Sequence, residues 1–333
     1  MFGELPKLID RNYVVGFLLP AAILCLLWWW MAGSFGLAPR PDIATIDKVI
    51  GATAVIASLW LVSILLIALN YSAYRLLEGY GLKRFRPALR VSAWRFERMA
   101  KPSLDQQAQV ERARSAGEPL PARPEDHADK LRKAVEGYPD ESRWVLPGPF
   151  GNRMRAAEVY ARVVYGLDSV PIWPRLQALL PGDFRDLLNS AKAQLDFCVN
   201  VAAAGILAGL TYAALCLYLQ HFPAWLPLGV SLATIAIGYL LAVQSAKPYG
   251  LYVRAAFDLY RGPLAEQLGL SIPPSPAEER EMWKLVSRMI IYRSSARFDD
   301  LAPYRKRHEK AASPTKIEAS VVTWQRGAPR RGG

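Results

Sequence analysis

The chain has 333 residues, of which 52% are apolar and 21% charged, and 41 lysines and arginines against 29 aspartates and glutamates give a formal net charge of +12. Four windows contain no Asp, Glu, Lys, Arg or His: residues 13–31, 49–69, 197–219 and 225–245. A charge-free apolar run of roughly 18 or more residues is typical of a membrane-spanning helix, which excludes a soluble globular protein and a disulfide-rich secreted domain.

The first predicted span, residues 13–31, has a cleaved signal peptide as its alternative interpretation. The residues before it carry two basic and two acidic side chains, so this segment lacks the net positive charge of a signal peptide. The run ends in three consecutive tryptophans, which is typical of a helix anchored at the membrane interface. We therefore expect a retained span that is kinked at Pro20.

The second predicted span, residues 49–69, completes the N-terminal segment 1–70. Its pattern predicts a helix that continues through Leu77, until nearby glycines weaken it. A basic stretch with interleaved aromatic rings follows at 83–101. This stretch fits an amphipathic helix on the lipid headgroups and a solvated helix packed on its neighbours equally well.

Residues 102–140 are polar, charged and rich in proline, with no sustained apolar period. This composition predicts a flexible insertion that contains at most one short helix. Residues 144–196 are patterned more regularly. Asn152 is placed to cap the start of a helix that Gly166 would end, and Pro174 is placed to open a second short helix.

The third predicted span, residues 197–219, follows an apolar stripe that begins after Pro181. This continuity predicts one helix of about 35 residues, or ~50 Å, which stands out of the bilayer. Gly205 and Gly209 form a GxxxG pair, whose small residues let helices approach closely within a subunit or between subunits. Asn200 is expected to bond a neighbouring helix or interfacial water rather than an ion.

The fourth predicted span, residues 225–245, precedes an expected amphipathic helix over 249–267. The sequence Pro-Pro-Ser-Pro at 273–276 predicts that one helix ends before it and that another begins there. The helix that begins there carries an apolar stripe. We expect that stripe to dock on the ends of spans two and three. Residues 246–308 are thus assigned to C-terminal helices, and residues 309–333 to a disordered basic tail.

The distribution of basic residues predicts the orientation. Residues 70–196 carry 21 Lys and Arg, and residues 246–333 carry 16, whereas the two short loops between spans carry two and none. Both termini and both large segments are therefore expected in the cytoplasm, where residues 71–196 and the C-terminal segment would form a helical module. The sequence predicts an all-α integral membrane protein with four spans in a 2+2 arrangement. Much of the positive charge lies beside the membrane and suits anionic lipid, so we expect no specific nucleic-acid partner.

The sequence offers few signs of catalysis. The three histidines share no metal-ligand spacing, and we find no CxxC pair, phosphate-binding glycine loop or nucleophile elbow. None of the four span windows contains an ionisable residue, which argues against a proton relay in the bilayer. We therefore expect a protein without catalytic residues, metal or cofactor.

One run before the third span stands out. It reads Gly151-Asn152-x-x-Arg155-Ala-Ala-Glu158, then Tyr165-Gly166-x-Asp168, then Trp173-Pro174-Arg175-Leu176. Over about residues 146–200, the chain resembles a group of uncharacterised bacterial integral membrane proteins with four spans that share this run. The resemblance implies a bacterial inner-membrane protein, and it implies no activity.

The candidate site taken from this run has two interpretations. In the first, its charged residues form a buried ion-pair network with the tryptophan as an apolar plug, and the network fixes the helix arrangement. In the second, Arg155 and Arg175 recognise an anionic ligand or a lipid headgroup. The candidate residues are Asn152, Arg155, Glu158, Asp168, Trp173 and Arg175.

The sequence leaves three functions open, with a slight preference for an oligomeric channel or transport-related protein whose cytoplasmic module regulates it. Its pore would be lined by the few polar residues in and beside the spans. The alternative is a membrane scaffold or effector subunit that binds a cytoplasmic protein of the cell-envelope or phage-defence type. A lipid-acting enzyme is the least supported. The candidate pore residues are Thr53, Ser58, Ser63, Asn70 and Asn200.

Overall fold

The computed structural model describes residues 11–37, 45–81, 86–118, 127–293 and 300–305, and these residues form an all-α membrane protein. Four of the described helices are long and apolar enough to cross a membrane, which confirms the predicted fold class. The predicted tail at 309–333 and residues 119–126 of the insertion lie outside the described residues. In chain order the helices are α1 Arg11–Ser34, α2 Thr45–Leu77, α3 Arg86–Arg95, α4 Lys101–Ala116, α5 His127–Gly137, α6 Pro149–Tyr165, α7 Ser169–Gln177, α8 Gly182–Tyr218, α9 Leu226–Gln267 and α10 Pro276–Tyr292.

The first span, α1, contains a π-helical turn at Val14–Leu18, just before Pro20. Proline has no amide hydrogen to donate to the carbonyl four residues earlier, which is that of Gly16. The side-chain amide of Asn200 in α8 donates to this carbonyl over 2.8 Å. The predicted bond from Asn200 to a neighbouring helix is therefore confirmed, and it satisfies the carbonyl that Pro20 leaves without its helical donor. The kink at Pro20 stays a prediction, with the π-helical turn just before it.

The third and fourth spans, α8 and α9, pack more extensively on each other than any other pair of helices described here. A methyl group built on Gly205 would lie 2.8 Å from the backbone nitrogen of Ile235, and one built on Gly238 would lie 2.5 Å from that of Ala202. Gly209 is less crowded, with the Ser231 side chain 3.4 Å away. The predicted GxxxG face therefore packs within the subunit, against α9.

Both α8 and α9 extend beyond the apolar windows as continuous helices. The single helix predicted from residue 181 through the third span is confirmed, at 37 residues. The helix predicted over 249–267 is confirmed, and it is the end of α9, which continues through Pro248 for 42 residues. Gly250, in the turn after this proline, lets α6 approach until a methyl group there would lie 3.2 Å from the Ala157 side chain. Packing on α6 thus supports α9 where a backbone hydrogen bond is missing.

The insertion at 102–140 contains more helix than expected. The prediction of at most one short helix is wrong, since α4 has 16 residues and α5 has 11. Their apolar residues are too sparse for a clear period, but Val110 of α4 and Ala134 of α5 are buried. Tertiary packing therefore supports helices that local pattern alone does not reveal.

The last helix, α10, starts after the predicted proline stop, with Ser275 at its N-cap position. Its expected docking on the ends of spans two and three is wrong. The buried side chains of Met282, Trp283 and Val286 instead pack in a core with α6, α7 and the end of α9. This core, α3 to α7, α10 and the extensions of α8 and α9 beyond the bilayer form what we call the helical module.

Candidate functional site at the membrane boundary

The apolar windows of three spans end at the same level, which is the edge of the bilayer that faces the helical module. The apolar window of α2 ends just before Asn70, that of α8 begins just after Asp196, and that of α9 ends at Ser245. Asn70 donates to Asp196 over 3.3 Å, and the Cys198 thiol lies 3.3 Å from the Ser245 hydroxyl. The three ends meet in space, so a polar layer closes the bundle at this boundary.

Asp196 is the centre of this layer, and the sequence analysis missed it. Its carboxylate is only 4% exposed, and it accepts hydrogen bonds from Tyr74 over 2.8 Å and from Lys192 over 2.7 Å. The residue lies inside the spanning helix α8 but one position before its charge-free window. A search for charge-free windows therefore does not include Asp196. In the fold, hydrogen bonds from three donors stabilise this buried carboxylate, which has little access to water.

The start of α6 explains the first two residues of the run at 151–176. Gly151 faces the end of α2, where a methyl group would lie 2.2 Å from the backbone oxygen of Glu78. Asn152 was expected to cap α6, but this is wrong, because the helix begins at Pro149 with Gly148 before it. The buried Asn152 side chain instead accepts from the Leu146 amide over 2.6 Å and donates to Ser92 over 3.0 Å, which joins α6 to α3.

Arg155 and Glu158 form the charged centre of the run. The guanidinium of Arg155 donates to the Glu158 carboxylate and to the Tyr80 hydroxyl, each over 2.8 Å. The Arg75 guanidinium lies 3.4 Å from the Tyr80 ring centroid, and that of Arg155 lies 6.0 Å from it. Tyr80 thus contacts two arginines, one from α2 and one from α6, and its ring stabilises both by cation–π attraction.

The remaining candidates do not join this pair. Asp168 caps α7, where its carboxylate accepts from the Val170 amide over 3.3 Å. Arg175 is exposed and donates to the backbone oxygen of Pro171, one turn earlier in its own helix. The predicted network of four charged residues is therefore wrong, because of these four described residues only Arg155 and Glu158 form an ion pair, although Asp168 lines the same cavity as they do. The expected helix start at Pro174 is also wrong, since α7 begins at Ser169 and carries Pro174 in its interior.

A cavity of about 400 Å³ lies beside this pair, where the exits of α2 and α9 face α6 and α7. Aromatic rings form much of its wall, among them Tyr71, Trp173 and Phe257, and charged groups of α2 and α6 also line it. Trp173 packs on Phe257 with ring centroids 5.8 Å apart, so it forms a wall rather than the expected plug. Aromatic side chains with one polar end suit the interfacial layer of a membrane.

Glu78 lines the cavity and titrates near neutral pH. Burial, reinforced by the nearby Glu158 carboxylate, raises the pKa of Glu78 to about 7, although Arg75 and Arg155 oppose this rise. At pH 7 about half of the Glu78 side chains are therefore protonated. The cavity can consequently exchange a proton with its surroundings in the physiological range.

A second cavity, of about 550 Å³, lies on the other side of the Arg155–Glu158 pair. Trp144, Arg162 and Ile291 line it, and the Arg162 guanidinium lies 5.7 Å from the Trp144 ring centroid. Across the described residues, no group of three or more His, Cys, Asp or Glu side chains could hold a metal ion.

Comparison of the chain with protein-family models, with curated proteins and with solved structures finds no match. The resemblance drawn from the run at 151–176 therefore stays a prediction, and the geometry of the molecule is the basis for its function.

Proposed function

We propose that this chain is a non-catalytic membrane scaffold, which holds its helical module at the inner face of a bacterial plasma membrane as a docking platform for a protein partner. The continuity of α8 and α9 is the observation that carries the proposal. Each helix runs from the spans into the module without a break, over about 55 and 63 Å respectively at 1.5 Å per residue. The module is thus held rigidly relative to the bilayer, as a docking platform requires.

The placement of the polar span residues supports the scaffold over a pore within one subunit. Ser63 is buried and bonds Tyr13 over 2.6 Å, while Asn200 is buried against Gly16. Asn70 is engaged with Asp196. Three of the five candidate pore residues therefore serve contacts between helices of the same chain.

The surface of α3 offers a docking site on the module. Val91 and Trp94 are exposed there, and so is Met99 in the π-helical turn Phe96–Ala100 that follows α3. The Arg98 guanidinium of this turn lies 5.3 Å from the Trp94 ring centroid. An exposed tryptophan flanked by arginine is typical of the centre of a protein interface. The sign of the loop charges supports a cytoplasmic location for this surface and for both termini.

Site-specific photo-crosslinking in cells tests the scaffold. A photoreactive residue at position 94 is compared with one at position 218, because Tyr218 is also exposed, at 85% against 57% for Trp94, but lies at the far end of α8. At position 94 we expect adducts with a protein other than this chain. At position 218 we expect no adducts with that protein. Adducts with this chain alone, with lipid alone, or with the same protein from both positions would contradict the proposal.

A pore formed by several copies is the second candidate, and the exposure of α2 favours it. Only 17% of the apolar window of α2 is buried within one chain. Thr53 and Ser58 lie on its exposed side, where a ring of copies would bring them to a shared lumen. Purified protein in liposomes would then pass ions or small solutes, and an absence of flux at every tested voltage and pH would reject this candidate.

A further inference from the structure

The cavity at the exit of α2 contains a polar group that the fold leaves without a partner. Ser169 is one of the residues that line this cavity, and it is 7% exposed. Among the described residues, its oxygen has no hydrogen-bond partner. A buried hydroxyl without a partner costs free energy, so its presence in the wall of a cavity points to a ligand that completes it.

The charges around the cavity favour an anion. Arg75 and Glu158 line it together with Glu78. Glu158 is neutralised by its ion pair with Arg155, which lies behind the cavity wall. Arg75 instead lies between the rings of Tyr71 and Tyr80, at 5.9 and 3.4 Å from their centroids. Since Glu78 also accepts a proton readily, the balance of charge in the cavity is positive.

The depth of the cavity matches a lipid headgroup. Arg75 lies six residues after the end of the apolar window of α2, or about 9 Å beyond it. The polar layer of a bilayer is roughly 5–8 Å thick on each side. Helical side chains tilt toward the N-terminus, and that direction in α2 leads back to the bilayer. The Arg75 guanidinium therefore reaches the level of lipid phosphates.

An apolar stripe on α2 leads from the bilayer to this cavity. Leu61, Ile64, Ala68 and Tyr71 follow each other at helical spacing and are all exposed, and Arg75 is the next residue on the same face. An acyl chain laid along this stripe would carry its headgroup to Arg75. A soluble anion has no apolar part that could bind such a stripe, so the stripe favours a lipid as the source of the anion.

We propose that the cavity formed by α2, α6, α7 and α9 binds the phosphate-bearing headgroup of one anionic lipid, with Arg75 and the Ser169 hydroxyl as its ligands and the exposed face of α2 as the track for an acyl chain. The cavity volume of about 400 Å³ lies within the range of small-molecule sites. The site is independent of whether the protein acts as a scaffold or as a pore.

Native mass spectrometry of protein released from nanodiscs tests this site, with phosphatidylglycerol as the probe in a phosphatidylcholine background. We expect one retained phosphatidylglycerol per chain, about tenfold less retention in Arg75→Gln, and a smaller loss in Ser169→Ala. Arg175→Gln removes the same charge from an exposed arginine that does not line the cavity, and should retain lipid as the wild type does.

Ser169→Ala keeps the experiment decisive where Arg75→Gln folds poorly, because the hydroxyl has no protein partner to lose. Equal retention by wild type and Ser169→Ala would overturn the site, and so would equal retention by wild type and a folded Arg75→Gln. Equal losses in Arg75→Gln and Arg175→Gln would overturn it as well, since they would reflect net charge alone. Displacement of the lipid by inorganic phosphate would overturn the lipid assignment and leave a site for a soluble anion.

The dependence on pH gives a second readout. Glu78 faces Glu158 and Arg155 of α6 and Arg75 of its own helix. Ionised Glu78 opposes an anion, so retention of phosphatidylglycerol should fall several-fold between pH 6 and pH 8, values that bracket its pKa of about 7. Glu78→Gln should retain the lipid equally at both. An unchanged fall in Glu78→Gln would contradict the role of this carboxyl.

Discussion

Single residues decide how closely the membrane bundle and the helical module approach. Gly151 is the clearest case, because the backbone oxygen of Glu78 occupies the space that a side chain would need. The sequence marks this glycine only as part of a run, and nothing local predicts its neighbour. The contact joins residues more than seventy positions apart, so it depends on the tertiary fold.

We predict that Gly151→Ala lowers the free energy of unfolding by about 2–3 kcal/mol, because α6 must move away from α2. Gly51→Ala is a matched control in the interior of α2, where a methyl group would meet no described atom within 4 Å. That control should be neutral or stabilising by roughly 0.5–1 kcal/mol. Thermal melting in detergent compares the two, and equal melting temperatures would contradict the close approach at Gly151.

Glu78 gives a prediction for pH dependence. Its pKa of about 7 in the fold exceeds the ordinary value of 4.5, so the folded protein holds this proton more tightly than the unfolded chain. The contribution of Glu78 to stability is therefore fully present below pH 4.5 and is lost as the pH rises through 7. Glu78→Gln should be more stable than the wild type at pH 8, by on the order of 2 kcal/mol.

Melting temperatures of wild type and Glu78→Gln measured from pH 5 to pH 8 test this difference. The gap between the two proteins should widen as the pH rises. A gap that is constant over this range would show that Glu78 titrates in the fold as it does in water.

At the scale of elements, the spans are the part of the fold that the sequence predicts best. A window without charges is a strong local signal, and it predicted all four spans. The apolar stripe before the third window predicted the unbroken helix α8. The helices α4 and α5 and the docking of α10 were predicted wrongly, because they depend on packing between distant segments. The continuation of α9 through Pro248, which the sequence did not predict, depends on such packing as well.

The GxxxG pair of α8 allows a prediction with an internal control. Gly205→Ala places a methyl group 2.8 Å from the backbone of Ile235 in α9 and should destabilise the α8–α9 pair by about 1–3 kcal/mol. Gly209→Ala meets only the Ser231 side chain at 3.4 Å and should change stability by less than about 0.5 kcal/mol. Thermal melting of both variants separates them, and a larger loss in Gly209→Ala would contradict the observed packing.

The candidate site was predictable only in part. The charged run at 151–176 led to Arg155 and Glu158, which do meet, because residues three apart share a helix face. Their other partners, Tyr80 and Arg75, come from the end of α2 and carry no sequence signal that links them to α6. Arg175 was grouped with them by proximity in sequence, but the structure places it on the exposed side of α7.

For the whole molecule, the bundle and the module behave as one framework. Three spans end at a common polar layer around Asp196, and two of them continue into the module. The lipid cavity that we propose lies at the same boundary. A lipid there would contact both the bundle and the module, so its binding should raise the melting temperature of the protein.

The number of subunits in nanodiscs, measured by native mass spectrometry, tests the scaffold account most directly. Ser63, Asn70 and Asn200 are bonded within a single chain, so the account predicts one or two copies without a central lumen. A closed ring of four or more copies that passes ions after reconstitution would contradict the scaffold and establish the pore.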